Sequence, residues 1–163
     1  MNNILRVLVP INFTAESQLA LEWAQTVAKN KTGTTVYLMH VLPLKETPQQ
    51  LGVGSVGYEM EMDSIKSRMQ EWLDKLPKDL LAFALYETGS VADAVAKVCK
   101  EKDIDLVVMT TRGRRGLTHI LKGSTTEETI RVAPCPVLVL HLNSRTQNLA
   151  QTSKAVNESL KAS

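Results

Sequence analysis

The stretch TTRGRRGLTHILKGST at residues 110–125 combines glycines, arginines and hydroxyl side chains. Nine residues separate Gly113 from Gly123, and Ser124 and Thr125 follow the second glycine directly. A glycine lets the backbone turn with positive φ and lets a ligand approach where a Cβ would block it. Backbone amides at a helix start, hydroxyl donors and arginine charge together suit a polyphosphate. The stretch therefore predicts a phosphate-binding loop.

The same residues also have a purely structural interpretation. Ser124 and Glu127 form the S-x-x-E pattern of a capping box, which would start a helix without any ligand. Capping accounts for Ser124, but it explains neither Gly113 nor the concentration of positive charge. The basic side chains of this stretch are Arg112, Arg114, Arg115 and Lys122. We therefore favour phosphate binding and keep helix capping as the alternative.

Apolar residues follow two alternating periodicities along the chain, and these predict the strands and helices that position this loop. Short apolar, β-branched runs indicate strands at about 4–11, 35–42, 81–87, 104–110 and 136–142. Helical periodicity is found between them, at about 15–30, 57–76, 90–102 and 124–133. This alternation predicts an α/β fold, a single doubly wound parallel sheet with helices on both faces. Ligands of such sheets bind beyond the carboxyl ends of the strands, which is where residues 110–125 lie.

Composition limits the class of protein. The 163 residues are 44% hydrophobic and 22% charged, which is typical of one soluble globular domain with a real core. We assign residues 1–142 to that domain and residues 143–163 to a polar tail, either weakly helical or disordered. The net charge of +2 gives no support for binding to nucleic acid or to an anionic membrane. There is no signal-peptide pattern and no run near the ~20 apolar residues of a membrane span, so we expect a cytoplasmic protein.

A second glycine-rich stretch, GVGSVG at residues 52–57, matches the dinucleotide fingerprint G-x-G-x-x-G literally. That fingerprint works only where the glycines follow a strand directly and open a helix. Here the segment PLKETPQQL separates the glycines from the second predicted strand. We therefore interpret residues 44–57 as a mobile loop over the sheet, a lid rather than a second nucleotide site. The P-loop pattern G-x-x-x-x-G-K-[ST] does not occur in the sequence.

The other reactive side chains suggest structural roles. Cys99 and Cys135 lie in apolar contexts without CxxC spacing, so we expect buried thiols rather than a disulfide or a metal site. His40 and His141 fall in strand patterns, and nothing around His119 predicts the geometry that a general base needs. No paired carboxylates stand near the predicted phosphate site for metal-assisted hydrolysis. We predict no catalytic residues, no metal ligands, and at most very slow hydrolysis of a bound polyphosphate.

Three stretches resemble the universal stress protein family. They are VLVPINFT in the first strand, MHV at the end of the second, and DLVVMTTRGRRGLTHILKGSTTEETIRVAPCPVLVL in the last third. The likeness extends to about Leu142 and implies a five-stranded sheet with strand order 3-2-1-4-5. ATP-binding members of the family carry G-x2-G-x9-G-[ST], and Gly113, Gly123 and Ser124 match its last three elements. Thr110 stands where that pattern has its first glycine.

The resemblance also implies where ATP would bind, alone or with Mg²⁺. Pro10, Ile11 and Asn12 border the adenine and the ribose, and Val41 and Met109 flank the base. The family usually has Asp at the position of Asn12, and an amide cannot offer a charged acceptor or a strong cation ligand. The full predicted ATP site comprises Pro10, Ile11, Asn12, Val41, Met109, Thr110, Arg112, Gly113, Arg114, Arg115, Gly116, Gly123, Ser124 and Thr125.

Three functional hypotheses follow. The first is a nucleotide-binding regulatory protein of the stress response, which signals by ligand-linked conformation rather than rapid catalysis. The second is a dimeric scaffold of the same fold that contacts an unidentified protein partner without nucleotide. The third is nucleic-acid binding through Arg112, Arg114, Arg115 and Lys122. We disfavour the third because aromatic residues, which would stack on bases, make up only 4% of the chain.

The last predicted strand indicates a homodimer through residues 136–142. Pro134 and Pro136 cannot donate ladder hydrogen bonds, which places this strand at a sheet edge. Its sequence VLVLHL is strongly apolar and has no lysine to protect a solitary edge. Pairing with the same strand of a second copy would satisfy the backbone, and the family resemblance implies the same arrangement. The alternative is that the tail after Asn143 covers the edge.

Overall fold

The structure is a computed structural model that describes residues 5–43, 55–111 and 125–141. Its elements are β1 (Arg6–Ile11), α1 (Ala15–Lys29), β2 (Thr35–Leu42), α2 (Ser55–Asp74), β3 (Leu81–Thr88), α3 (Val91–Glu101), β4 (Leu106–Thr111), α4 (Thr125–Val132) and β5 (Val137–His141). Each corresponds to a segment predicted from the hydrophobic periodicity, with ends that differ by no more than two residues. Because α2 begins at Ser55, residues 55–57 belong to a helix and not to the predicted loop. None of the helices described here combines the length and the hydrophobicity that crossing a bilayer requires.

The strands form one sheet with the order β3-β2-β1-β4-β5. All neighbouring pairs are parallel; Leu8 of β1, for example, is opposite Tyr37 of β2 on one side and Val107 of β4 on the other. This confirms the predicted doubly wound α/β fold and its strand order. The chain proceeds outward from β1 to β3 and then returns to place β4 on the other side of β1. The strand order therefore reverses between β1 and β4, and a crevice forms at their carboxyl ends.

The central strands contribute to two separate cores. Val7 and Val9 of β1 belong to the core on one face, together with Met69 of α2. Leu8, which lies between them, belongs to the core on the other face, together with Val95 of α3. Successive residues of a strand face opposite sides of the sheet, so a strand covered on both faces must be apolar at nearly every position. This is why β1 and β4 appear in the sequence as nearly continuous apolar runs.

Polar contacts hold both ends of the central strands. At the amino end, the backbone N–H of Arg6 donates to Asp105 Oδ2 at 2.7 Å, which joins the start of β1 to the segment before β4. At the carboxyl end, Thr14 is the N-cap of α1, and its hydroxyl accepts the N–H of Ser17 at 3.5 Å. Ser90 is the N-cap of α3 in the same way. Both helices therefore start directly after the strands that precede them, beside the crevice.

Candidate functional site

A cavity of about 350 Å³ opens at the carboxyl ends of β1, β2 and β4. It lies where the strand order reverses, which is the position at which open α/β sheets bind ligands. Its volume is within the range of small-molecule sites. The residues that line it are Pro10, Ile11, Asn12, Thr14, Glu16, Ser17, Met39, His40, Val41, Val91, Met109, Thr110, Thr111, Thr125 and Thr126.

Every predicted site residue that the structure describes lines this cavity. These residues are Pro10, Ile11, Asn12, Val41, Met109, Thr110 and Thr125. The other predicted residues, from Arg112 to Ser124, lie outside the described residues, so the structure describes only Glu127 of the proposed capping box. The strand order explains why distant segments meet here. Because β2 and β4 flank β1, Val41 and Met109 fall on either side of the end of β1.

The strand ends give part of the cavity an apolar wall. Ile11, Met39 and Met109 are buried, and Val41 is half-buried. Val91, the first residue of α3, adds a further apolar side chain. Methionine is polarisable and adapts its shape, and sulfur makes favourable contacts with aromatic rings. This wall therefore suits a flat aromatic group such as a nucleobase.

Asn12, directly after β1, is held by two neighbours that sequence reasoning did not include in the site. Its Oδ1 accepts hydrogen bonds from the Ser17 hydroxyl at 2.6 Å, from the Thr14 hydroxyl at 2.6 Å and from the Thr14 N–H at 3.3 Å. Its backbone N–H donates to the Ser17 hydroxyl at 3.0 Å. Within the described part of the chain, Nδ2 forms no hydrogen bond, so its two N–H donors are available to a ligand.

The sequence does contain a signal for these two neighbours. Thr14 comes immediately before the helical periodicity, and Ser17 follows three residues later. This is the spacing at which an N-cap side chain meets a backbone N–H of the first turn. A search for N-caps next to strand ends would therefore have added Thr14 and Ser17 to the predicted site.

Hydroxyl groups and a helix start form another part of the cavity. Thr110 lies near the end of β4, and Thr125 and Thr126 are the first residues of α4. The first N–H groups of a helix have no acceptor within the helix and carry the positive end of its dipole. The carboxylate of Glu127, also in this first turn, forms an ion pair with Arg131 at 3.1 Å. This arrangement can accommodate an anionic group with hydroxyl and amide donors.

His40 lines the cavity as well, although its strand pattern indicated a structural residue. Its Nδ1 lies 3.0 Å from the carbonyl oxygen of Ile11, and its ring is 4.7 Å from the ring of Phe13. Phe13 has a positive φ of 60°, and its ring contacts the Trp72 ring edge-on. The guanidinium carbon of Arg68 lies over the Phe13 ring, 4.3 Å from its centroid. These contacts hold the imidazole in place and give His40 both a structural role and a place in the cavity wall.

Comparison with known proteins identifies the family that has this architecture. The model of the "Universal stress protein family" matches residues 3–141. The chain belongs to the universal stress protein family. This confirms the resemblance carried by the first strand and by the last third of the sequence.

Individual members of the family are similar to the chain over most of their length. Universal stress protein MJ0531 of Methanocaldococcus jannaschii is 27% identical over 143 residues, which cover 83% of this chain and 81% of that protein. The solved structure of MJ0577, from the same organism, matches with a TM-score of 0.71 at 22% identity, over 86% of this chain and 97% of that chain. A family protein of Arabidopsis thaliana, solved with AMP bound, matches with a TM-score of 0.59 at 19% identity, over 86% and 94% of the two chains. These structural matches show a shared fold.

This universal stress protein differs from the family pattern at two positions of the cavity wall. Thr110 stands at the first glycine of the nucleotide motif, and its half-buried side chain narrows the cavity while adding a hydroxyl. Asn12 stands where the family usually has Asp. Its Oδ1 accepts the hydrogen bonds of Thr14 and Ser17 as a carboxylate oxygen would, but Nδ2 replaces the second oxygen with a donor. At this position a hydrogen-bond donor therefore replaces one of the two acceptors that an Asp side chain would offer.

Several described carboxylates lie away from the cavity. Asp103 and Asp105 are at the amino end of the sheet, where both contact Arg6. Glu87 pairs with Lys97 of α3 at 2.9 Å, and this hydrogen bond and the charge of Glu87 raise the pKa of Lys97. In the three described ranges, no group of three or more His, Cys, Asp or Glu residues is placed to hold a metal ion.

Proposed function

We propose that this member of the family is a regulatory protein of the stress response that binds ATP in the cavity described above. The observation that carries the proposal is that one cavity combines an apolar wall, a side-chain amide and a group of hydroxyls. An apolar wall around Met39 and Met109 suits a base, the Asn12 amide suits a ribose, and the hydroxyls at the start of α4 suit phosphates. The AMP bound to the Arabidopsis relative supports a nucleotide as the ligand.

The proposed binding mode follows from the places of the lining residues. The adenine lies between Val41 and Met109, against the end of β1, and Nδ2 of Asn12 donates to a ribose hydroxyl. The phosphates extend toward Thr110 and Thr125. The predicted loop residues that complete the phosphate site are Arg112, Gly113, Arg114, Arg115, Gly116, Gly123 and Ser124.

A Mg²⁺ ion would bind mainly through the phosphate oxygens, because the Asn12 amide offers no charged ligand. When bound, it would neutralise part of the phosphate charge. We expect at most very slow hydrolysis, since the described cavity wall holds no carboxylate pair for metal-assisted hydrolysis. The signal is then the conformation that ATP stabilises, in a protein that we place in the cytoplasm.

We also propose a homodimer that forms through residues 136–142. Among the described strands β5 pairs only with β4, so it is an edge of the sheet. Three of its apolar residues, Val137, Leu138 and Val139, are only half-buried within one copy. An unprotected apolar edge strand is a template for pairing with another chain, and a two-fold axis closes that pairing after one partner.

A second candidate function is a dimeric scaffold that acts without nucleotide. Two observations favour it specifically. Thr110 and Asn12 depart from the family pattern at the cavity, and the apolar edge strand β5 contributes no residue to the cavity lining. In this alternative, the signal depends on the dimer surface rather than on ATP.

Isothermal titration calorimetry on the purified full chain tests ATP binding against the scaffold alternative. We expect saturable heat with ATP and Mg²⁺, and ATP among the small molecules released when the freshly purified protein is denatured. No heat with millimolar ATP from a protein that light scattering shows to be dimeric would favour the scaffold.

A pair of matched variants tests the location of the phosphates. Thr125→Val removes a hydroxyl that lines the cavity, and we expect ATP affinity to fall about tenfold, the cost of one hydrogen bond to a charged group. Thr129→Val makes the same change one turn later in α4, where the hydroxyl donates to the Thr125 carbonyl at 2.7 Å. This control should keep the ATP affinity of the unmodified protein. Equal losses of ATP affinity in both variants would mean that the phosphates bind elsewhere.

A further inference from the structure

Two thiols lie side by side on the face of the sheet that α3 and α4 cover. Cys99 is in the last turn of α3, and Cys135 is in the connection between α4 and β5. Their Sγ atoms are 3.7 Å apart although 36 positions separate them in the sequence. The sequence predicted buried thiols. Cys99 is buried, Cys135 is half-buried, and the two are in contact, which the sequence did not indicate.

The packing around the pair explains why the thiols meet and stay in contact. α3 packs against α4. Cys99 belongs to a buried core cluster, and the partly buried residues Ala133, Cys135 and Val137 pack against that cluster. Proline stands on both sides of Cys135, at positions 134 and 136. A proline has a fixed φ and restricts the residue before it, so the backbone that carries Cys135 has few alternatives. The two sulfurs need to approach by less than about 2 Å to reach the disulfide bond length.

The two thiols differ in their accessibility. Cys99 is only 3% exposed, whereas Cys135 is half-buried and can be reached from solvent. Burial, with Cys135 alongside, raises the pKa of the Cys99 thiol to about 12. Almost no Cys99 thiolate therefore exists near neutral pH, and a thiolate is the form that attacks a disulfide. An external oxidant is thus expected to react first at Cys135.

We propose that Cys99 and Cys135 are a redox modification site that forms a reversible intramolecular disulfide with a small disulfide such as oxidised glutathione. Cys135, as its thiolate, attacks one sulfur of the small disulfide, forms a mixed disulfide and expels one small thiolate, which takes up the proton that Cys135 released. The Cys99 sulfur then attacks the Cys135 sulfur, its proton passes to the departing second small thiolate, and the Cys99–Cys135 bond forms. The two protein thiols are oxidised by two electrons, and the small disulfide is reduced to two thiols.

A disulfide fits the site better than a bound metal ion. The pair provides two sulfur ligands, and a structural zinc site takes four. Around these cysteines, as elsewhere in residues 5–43, 55–111 and 125–141, no third metal-binding side chain joins them in a group. The proposal is also independent of ATP binding, because neither cysteine lines the cavity.

The bond would join the last turn of α3 to the segment after α4, and the other ends of both helices border the cavity. α3 starts at Val91 and α4 starts at Thr125, and both residues line the cavity. Cys99 is eight residues along α3 from Val91, about 12 Å at the rise of an α-helix. The oxidised form therefore ties the end of α3 to the segment after α4 at a distance from the nucleotide site.

The test treats the reduced, folded full chain with oxidised glutathione, quenches it with an alkylating reagent in denaturant, and weighs the products by mass spectrometry. We expect a monomeric species that has lost two hydrogens, that takes up no alkylating reagent and that yields one cross-linked peptide pair containing Cys99 and Cys135. Dithiothreitol should restore both thiols, and the thermal unfolding midpoint should be several degrees higher in the oxidised form.

Two single variants separate the steps. Cys99→Ala should accumulate a stable mixed disulfide between glutathione and Cys135, because the second thiol is missing. Cys135→Ala should remain unmodified while folded, because Cys99 is buried. The proposal is wrong if the unmodified folded protein keeps both thiols alkylatable after oxidation, stops at the glutathione adduct, or forms only disulfides between chains. None of these measurements uses a nucleotide. A negative result for the disulfide therefore leaves the ATP proposal unaffected.

Discussion

The side-chain oxygen of Asn12 accepts a hydrogen bond from the Ser17 hydroxyl at 2.6 Å, and that hydroxyl in turn accepts the backbone N–H of Asn12 at 3.0 Å. This closed pair joins the end of β1 to the first turn of α1. Ser17 is 4% exposed, so the hydroxyl that orients the amide is shielded from water. The orientation of Asn12 is therefore set by the protein before any ligand arrives, and its Nδ2 is the group left for recognition.

Replacing Asn12 with Asp should tighten ATP binding. One carboxylate oxygen can keep the hydrogen bonds to Thr14 and Ser17, while the other replaces Nδ2 and accepts from the ribose hydroxyls. A hydrogen bond to a charged acceptor is about twice as strong as a neutral one, so we expect about a five- to tenfold gain in calorimetry. Asn12→Ala is the contrasting variant, since it should weaken ATP binding and lower the free energy of unfolding by about 1–2 kcal/mol. Weaker ATP binding by a stable Asn12→Asp protein would contradict the assigned ribose contact.

Gly123→Val should abolish ATP binding. The sequence predicts that this glycine lies against the phosphates, where a branched side chain would occupy the space of the ligand. Gly57→Val serves as a control because Gly57 lies in the first turns of α2 and does not line the cavity. Calorimetry should show no ATP heat for the first variant and unchanged affinity for the second. If the Gly123→Val variant still binds ATP, the predicted loop is not part of the phosphate site.

Replacing residues 44–54 with a short Gly-Ser linker should loosen ATP binding while the fold survives. The sequence predicts a lid in this segment, and the described elements on either side, β2 and α2, would keep their connection. Circular dichroism checks the fold, and calorimetry checks the ATP affinity. If the unmodified protein instead binds NAD tightly and loses it on Gly52→Ala or Gly54→Ala, the GVGSVG stretch is a nucleotide site and not a lid.

Val139→Lys should convert the homodimer to a monomer. Val139 is a half-buried residue of the edge strand β5, and a lysine there would place a charge in the proposed apolar interface. Leu140 is 6% exposed and belongs to the core, so Leu140→Lys would unfold the protein rather than report on its interface. Leu81→Lys is the matched control, since Leu81 is an exposed apolar residue on the opposite edge strand, β3. Light scattering should give a monomeric mass for Val139→Lys and a dimeric mass for Leu81→Lys; a monomeric unmodified protein would exclude the dimer.

The free energy of unfolding should fall above pH 9 because of Cys99. Burial raises the pKa of its thiol from 9.0 to about 12, so the unfolded chain releases this proton at a lower pH than the folded chain. The raised pKa stabilises the fold below about pH 9, and the contribution is lost as pH rises toward 12, by at most about 1.4 kcal/mol per pH unit. Urea unfolding of the reduced protein between pH 8 and pH 10.5 should show this decline, and Cys99→Ala should show a shallower one. Parallel curves for the two proteins would mean that Cys99 titrates normally in the fold.

Most of the fold and part of the site could be predicted from residues that are close in sequence. The nearly continuous apolar runs of β1 and β4 indicated strands covered on both faces, and their alternation with helical segments indicated parallel pairing. The glycine motif and its flanking strands indicated the family, and that resemblance implied that Val41 and Met109 flank one ligand. These features depend on local periodicity and chain order, which the sequence states directly.

Only the tertiary structure decided which side chains from distant segments touch. Met39, His40 and Thr126 joined the cavity wall because of the register between strands and the direction in which α4 packs, and neither is encoded in a local pattern. The contact between Cys99 and Cys135 depends in the same way on how α3 lies against α4. Periodicity reports which face of an element is apolar, whereas contacts across the fold depend on how those faces are rotated and shifted against each other by close packing of the whole core.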